Sequence, residues 1–313
     1  ELRKDLAGFY GVKPQNLLVD NGSVSLIYLI PRALGLKKAL IPVPAFSEYE
    51  KAARLAGGEV RFLKPKGNIV GTEQCSVPTD LDLDVDNLIR GLKGRDSLYL
   101  ANPNNPTSLS VDKKDIIRII KEAKKRGVIL ILDEVFMEFS DSPRENTMIN
   151  QAVKSENLII LRSMTKFFAL AGLRLGAAIA HPKVIVRLKK YQPPWPVNSL
   201  AVSAAREFLK DKKYIRDSYK LIQQEKAFLY SELSAFKALE VWRPSANFIL
   251  CQTNSPPRVG GVRGVGLRDR LALKGILIRD CSNFRGLDTS FFRVAVRARK
   301  ENLKLLSSLK EVL

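Results

Sequence analysis

Val128-Ile-Leu-Ile-Leu-Asp133 decides the fold. Five apolar residues in a row, without polar alternation, read as a strand buried on both faces. Such strands belong to mainly parallel sheets covered by helices on either side. The run ends in a carboxylate, at the C-terminal end of the strand, where ligands of open α/β sheets bind. A carboxylate at that depth needs a partner. An ion pair or a helix cap would serve it as well as a bound ligand.

Working outward, the same texture recurs on both sides. Leu17–Val19, Lys38–Ile41, Val60–Leu63, Ser97–Leu100, Asn157–Leu161 and Ala177–Ala180 also read as strands. Between them Ser23–Leu34, Ser47–Ala56, Asp112–Arg126 and Pro182–Lys190 carry apolar residues at helical spacing. Strand and helix in alternation predict an α/β sheet sandwiched by helices. After about Val202 the pattern changes to one long helical stretch, from Ala201 to about Phe236. Short strands at Val241–Trp242, Asn247–Leu250, Ile276–Arg279 and Phe292–Val296 follow, with a helix near Leu267–Lys274 and another at the end. The Gly- and Pro-rich Thr253–Gly266 reads as a loop. The 313 residues are thus expected to form a large domain, 1–205, and a small C-terminal α+β domain, 206–313.

Composition narrows the class. The longest apolar runs are far too short to cross a bilayer, and Glu1 opens a charged stretch rather than a secretion signal. Cys75, Cys251 and Cys281 have no metal-ligand spacing. A cytoplasmic protein without a structural metal is expected. Lys and Arg number 52 against 32 Asp and Glu, a net charge of +20. Nucleic-acid binding would use such an excess. Here it is spread through helical segments such as Lys121–Arg126 and Lys210–Arg216, with no aromatic platform for single strands. A solvated basic surface that draws in small anions is the better reading; neither nucleic acid nor membrane is expected as a partner.

Several short segments share one chemical logic. Lys166, in Arg162-Ser-Met-Thr-Lys-Phe167, lies just past the strand Leu158–Leu161, where a lysine can lose its proton easily and act as a nucleophile; taken alone it could be any surface lysine. Arg174 sits among the small and apolar residues of Ala171–Gly176, a setting that suits a phosphate. Asn21-Gly-Ser23 joins a strand to a helix N-terminus, whose free N–H groups also suit phosphate, though many plain loops read the same way. Asn102-Pro-Asn-Asn-Pro-Thr107 is a loop stiffened by two prolines, and could be a simple turn.

The order of these segments carries more than any one of them. With Pro44–Tyr49 (PAFSEY), Asp133–Phe136 (DEVF), Arg162–Gly176, Pro193–Asn198 (PPWPVN), Ala246–Phe248 (ANF) and Phe291–Arg297 (FFRVAVR), the chain resembles the fold-type-I pyridoxal-phosphate enzymes of the class I/II aminotransferase superfamily. It is similar to the branch that holds histidinol-phosphate aminotransferase and threonine-phosphate decarboxylase. The resemblance implies a mainly parallel seven-stranded sheet in the large domain, pyridoxal 5′-phosphate as cofactor, and a homodimer. Lys166 would carry the cofactor as a Schiff base. Asp133 would pair with the ring nitrogen and keep it protonated. Asn105 would bond the phenolic oxygen, and Phe46 would stack on the ring. Ser163, Arg174 and the backbone of Gly22 and Ser23 would hold the phosphate. Asn105, Arg279 and Arg293 would bind the substrate.

Two features lean toward decarboxylation. Ile278–Leu287 followed by Phe291–Arg297 resembles the C-terminal signature of the decarboxylase branch, and puts Arg279 and Arg293 on two strands. Two guanidinium groups suit a substrate with both a carboxylate and a phosphate. Phe136 stands where the aminotransferase branch has a tyrosine. The implied reaction is decarboxylation of L-threonine O-3-phosphate to (R)-1-aminopropan-2-ol O-phosphate in cobalamin biosynthesis, with histidinol-phosphate aminotransferase as the alternative. The sequence departs from the family at Ser108, where glycine is usual, at Ala171, where proline is common, and at Val24 and Ser25, which follow NGS in place of an acidic residue. The family's N-terminal arm, which covers the site and reaches across the dimer, has no counterpart in these residues.

Overall fold

Alternation along a strand sends neighbouring side chains to opposite faces, and the central apolar run obeys it. Leu130 and Leu132 join a core with Ile116 and Ile119, while Ile131 joins another with Leu26, Ile27 and Ile30. Each face of the strand is therefore covered by a different helix. The architecture is that of a computed structural model, which describes residues 1–65, 81–254 and 266–313. Cys75 and most of the expected loop Thr253–Gly266 lie outside the described residues.

In chain order, α1 (Leu2–Tyr10), β1 (Leu17–Asn21), α2 (Gly22–Leu34), β2 (Lys38–Pro42), α3 (Glu48–Leu55), β3 (Glu59–Leu63), α4 (Val85–Gly91), β4 (Ser97–Ala101), α5 (Lys113–Lys125) and β5 (Ile129–Asp133) come first. The single turns α6 (Pro143–Asn146) and α7 (Ile149–Ala152) lead to β6 (Leu158–Ser163), the turn α8 (Met164–Phe167), β7 (Leu175–Ile179) and α9 (Pro182–Lys189). These strands form one seven-stranded sheet in the order β1-β7-β6-β5-β4-β2-β3. Strands β2 to β6 pair in parallel; β7 runs antiparallel to both β6 and β1. The mainly parallel seven-stranded sheet is the one the resemblance implied.

Then follow α10 (Ser199–Phe208), α11 (Lys212–Ser234), β8 (Leu239–Val241), β9 (Phe248–Thr253), α12 (Leu267–Leu273), β10 (Arg279–Asp280), β11 (Phe291–Ala295) and α13 (Arg299–Val312). The four strands make an antiparallel sheet in the order β10-β11-β9-β8, with its own core around Ile249, Leu271, Val294 and Leu309. Helix α11 joins the two cores: Tyr214 and Ile215 pack on the first, Leu229 and Leu233 in the other.

The structure corrects the sequence reading in places. The helical stretch from Ala201 to Phe236 is two helices, because the Asp211 carboxylate accepts the Tyr214 N–H at 2.8 Å and caps a new one. The strand expected at Ile276–Arg279 pairs only over Arg279–Asp280. Helices α1 and α4 were not anticipated. Among the described residues no helix is long and apolar enough to cross a membrane.

Candidate active site

Strands β5 and β6 lie side by side, with Asp133 opposite Leu161 and β6 running on to Ser163. Asp133 is the last residue of β5 and Ser163 the last of β6. One turn beyond Ser163, on α8, stands Lys166. Parallel pairing thus brings the Asp133 carboxylate to the same end of the sheet as the Ser163 hydroxyl and the Lys166 amine, some thirty residues on in sequence.

Asp133 is buried and, among the described residues, has no cationic partner in hydrogen-bond contact. The Tyr49 hydroxyl donates to its Oδ2 at 2.5 Å, and the Val135 N–H donates to Oδ1 at 3.0 Å. Burial raises its pKa, and these two bonds pull it back. Tyr49 is itself fully buried against Tyr99; burial and the neighbouring Asp133 hold its phenol well above the ordinary range, so it remains a donor. Lys166 opens to the cleft, yet its amine is pushed below the ordinary lysine value, first by loss of solvation and then by Arg174 and Arg293; Asp133 opposes them. An amine that sheds its proton readily is the nucleophile such a position requires.

Residues expected to hold a phosphate meet at the start of α2. Gly22 takes φ 78°, and a Cβ there would stand 2.8 Å from Nη2 of Arg174. The guanidinium therefore lies directly over the backbone of the helix N-terminus. Arg174 is in a left-handed conformation, φ 52°, and its side chain donates to the Ala171 carbonyl. Gly176 on β7 was not singled out from sequence. A Cβ there would fall 2.2 Å from the Ser23 nitrogen, so glycine is what allows β7 to pass under the helix start. Asp20 fixes the same corner by accepting from the Asn21 N–H, the Ser25 hydroxyl and the Gln192 amide. Ser25 thus has a definite partner where the family carries another residue. The Ser163 hydroxyl lies 2.7 Å from that of Thr165.

The Asn102–Thr107 loop is braced from within. Asn102 accepts the Val111 N–H, Asn104 accepts from the Thr107 N–H and hydroxyl, and the Asn104 amide donates to the Pro44 carbonyl. That leaves Asn105 to the cleft. Its Oδ1 accepts from Arg293 Nη1 at 2.5 Å. Phe46 is half-buried and meets Tyr49 edge to face.

On the small sheet Arg279 and Arg293 are direct cross-strand partners. Like charges so paired repel; the proximity of Arg279 is one of the causes, after burial, that lower the Arg293 pKa. Arg293 lies 4.4 Å over the Phe248 ring, and Phe136 packs edge to face on that ring at 5.0 Å. Arg279 is exposed, bonds Asn283 at 2.9 Å and stacks over Phe284.

A buried ion network stands behind the site. Arg162 binds Glu134 at 2.7 Å and Glu138 at 2.9 Å, with Tyr10 beneath it. Glu134 follows Asp133 and Arg162 precedes Ser163, so the pair joins the two strand ends that carry the site. Neither was named from sequence, since each sits between more conspicuous residues.

Taken together, the cleft brings the Arg174 guanidinium over the backbone at Gly22, a buried carboxylate with one oxygen bound to a phenol, and an amine whose pKa burial lowers. These requirements fit pyridoxal 5′-phosphate: an anion, a protonated ring nitrogen and an aldehyde. The sequence profile of the aminotransferase class I and II family matches residues 1–309. Threonine-phosphate decarboxylase of Salmonella typhimurium is 31% identical, over 100% of this chain and 81% of its own length. The bifunctional adenosylcobalamin biosynthesis protein CobDQ of Leptospira interrogans is 32% identical, over 99% of this chain and 34% of its own. Among solved structures, histidinol-phosphate aminotransferase from Clostridium acetobutylicum superposes with a TM-score of 0.87 at 32% identity, covering 99% of this chain and 87% of that one.

Proposed function

The chain belongs to the aminotransferase class I and II family, and from that premise we propose that it decarboxylates L-threonine O-3-phosphate to (R)-1-aminopropan-2-ol O-phosphate, a step of cobalamin biosynthesis. Its cofactor is pyridoxal 5′-phosphate. When bound, that group supplies a sink for the electron pair left on the substrate's Cα. The assignments to its atoms are proposals: Gly22, Ser23, Ser163 and Arg174 hold its phosphate, Asp133 its ring nitrogen, Asn105 its phenolic oxygen, Phe46 a ring face and Lys166 its aldehyde carbon.

The observation that carries the reading is the opposition of Arg279 and Arg293 across two strands. Two cations held face to face are stabilised by a substrate with two anionic groups. Arg293, backed by Phe248 and bonded to Asn105, binds the carboxylate; Arg279, at the rim, meets the phosphate. Phe136 contributes an apolar wall without a hydroxyl beside the carboxylate. Such a wall disfavours the charged carboxylate and favours its departure as neutral CO₂. Lys166 Nζ then returns a proton to Cα. The Salmonella and Leptospira relatives support this reading by their names.

The second reading is histidinol-phosphate aminotransferase, which the relative from Clostridium acetobutylicum favours at an identity no lower. The reactants separate the two. Holoenzyme incubated with O-phospho-L-threonine alone should release CO₂ and the amine without a 2-oxo acid. A strict requirement for 2-oxoglutarate sinks the decarboxylase. As the resemblance implies, we propose a homodimer with active sites at its interface, each chain divided into a large domain, 1–205, and a small one, 206–313.

A further inference from the structure

Ser108 adopts φ 63°, a left-handed conformation that residues with a Cβ rarely take, and it is completely buried. Such a residue persists where its surroundings compensate for the strain. Ser108 has three bonds. Its N–H donates to the Asn104 carbonyl at 2.9 Å. Its carbonyl accepts the Ser245 N–H at 2.8 Å, and its Oγ accepts the Ala246 N–H at 2.8 Å. The first bond closes its own loop. The other two reach the segment that leads into β9. Glycine would give the first two bonds without strain; only a hydroxyl gives the third.

The bonded segment leads straight back to the site. Two residues after Ala246 comes Phe248, whose ring supports the Arg293 guanidinium. Arg293 bonds Asn105, three residues before Ser108 in the same loop. Loop, hydroxyl, β9, aromatic ring, guanidinium and loop form a closed circuit, in which the Ser108 hydroxyl is one of the bonds that tie the segment before β9 to the loop after β4. We propose that Ser108 is a positioning residue for Arg293: by holding Ala246 it fixes how far the guanidinium stands from Asn105, and so sets the affinity for the substrate's anionic group without touching substrate. The proposal rests on the reading of Arg293 as the substrate's anion clamp.

The test is a double-mutant cycle on the holoenzyme with O-phospho-L-threonine, whose binding is followed by the cofactor's absorbance and whose turnover is followed by product. Ser108→Gly removes the hydroxyl and relieves the backbone, so the melting temperature should stay within about 2 °C. Its Kd and KM should rise about 5-fold, the worth of one ordinary hydrogen bond. In an Arg293→Lys background, Ser108→Gly should add almost nothing, since both act through one guanidinium. Ser108→Ala, which keeps the strain, should raise KM by the same factor and also lower the melting temperature. If Arg293→Lys raises KM but Ser108→Gly leaves it unchanged, or if the two effects multiply independently, the role of Ser108 is overturned and the clamp stands. If Arg293→Lys itself leaves KM unchanged, or the unmodified enzyme gives no response to O-phospho-L-threonine, the substrate reading falls, and this proposal falls with it.

Discussion

Lys166 and Asp133 need opposite things from one cleft. The amine must lose its proton at moderate pH; the carboxylate must keep its charge although it is buried. Burial first, and then Arg174 and Arg293, lower the pKa of the amine; burial raises that of the carboxylate, and the Tyr49 hydroxyl opposes the rise. The consequence is measurable without cofactor or turnover. Competitive acetylation of the apoprotein across pH, read by mass spectrometry, gives the titration midpoint of Lys166. It should lie below that of ordinary lysines. Arg174→Gln removes a charge that disfavours the ammonium form, so the midpoint should move up. An unchanged midpoint would mean that desolvation alone sets the amine and that Arg174 has no electrostatic part in its reactivity.

At the scale of elements, the candidate site depends on β5 and β6 lying in parallel with their C-terminal ends side by side. The Arg162 guanidinium, wedged between Glu134 and Glu138, holds these ends together. A buried charge left without its partner costs several kcal/mol. Arg162→Met should therefore lower stability in urea by about 3–5 kcal/mol at neutral pH. The sign with pH follows. Burial already raises the Glu138 pKa, and Arg162 opposes that rise; without Arg162 the carboxyl climbs further. A carboxyl whose folded pKa lies above its unfolded one binds more protons when folded, so it favours folding at low pH and that advantage is lost as pH rises. The defect should accordingly shrink toward pH 4–5, about the unfolded pKa of glutamate. A pH-independent loss would assign the effect to packing. The strands and their terminal residues were legible in sequence because burial on both faces writes a continuous apolar run. Asp133, Ser163 and Lys166 could be placed by counting from such runs. Tyr49 and Ser108 could not be given roles, because their decisive partners lie 84 and 138 residues away. The break between α10 and α11 was missed for a different reason: the apolar spacing continues past Asp211, and only the capping bond stops the helix.

For the molecule as a whole, the segment between α9 and α10 has two sides. Gln192 donates to the Val19 carbonyl and to Asp20, and Asn198 donates to the Leu173 carbonyl, so the segment is anchored on the strand and turn that build the phosphate cradle. Between and beside those anchors Tyr191, Trp195 and Leu200 are 59%, 91% and 72% exposed in the single chain. Clustered apolar groups at a surface mark a contact region, and the proposed homodimer supplies a second copy to cover them. Trp195 reports on this directly, since the chain has only two tryptophans and the other, Trp242, stacks on Phe291 at 5.6 Å. Dilution through the dimer's dissociation range should shift the emission to longer wavelength as Trp195 meets water. Trp195→Phe should abolish the shift, and Trp242→Phe should leave it. Charge adds a second condition. Two copies at +20 each repel, and added salt screens that repulsion over about 8–10 Å near 0.1–0.15 M. The midpoint of the dilution curve should therefore move to lower protein concentration as salt rises, the reverse of what a contact held by opposite charges would do. A protein that sediments as a monomer at every concentration and salt level would overturn the dimer and leave the exposed face without a second copy to cover it.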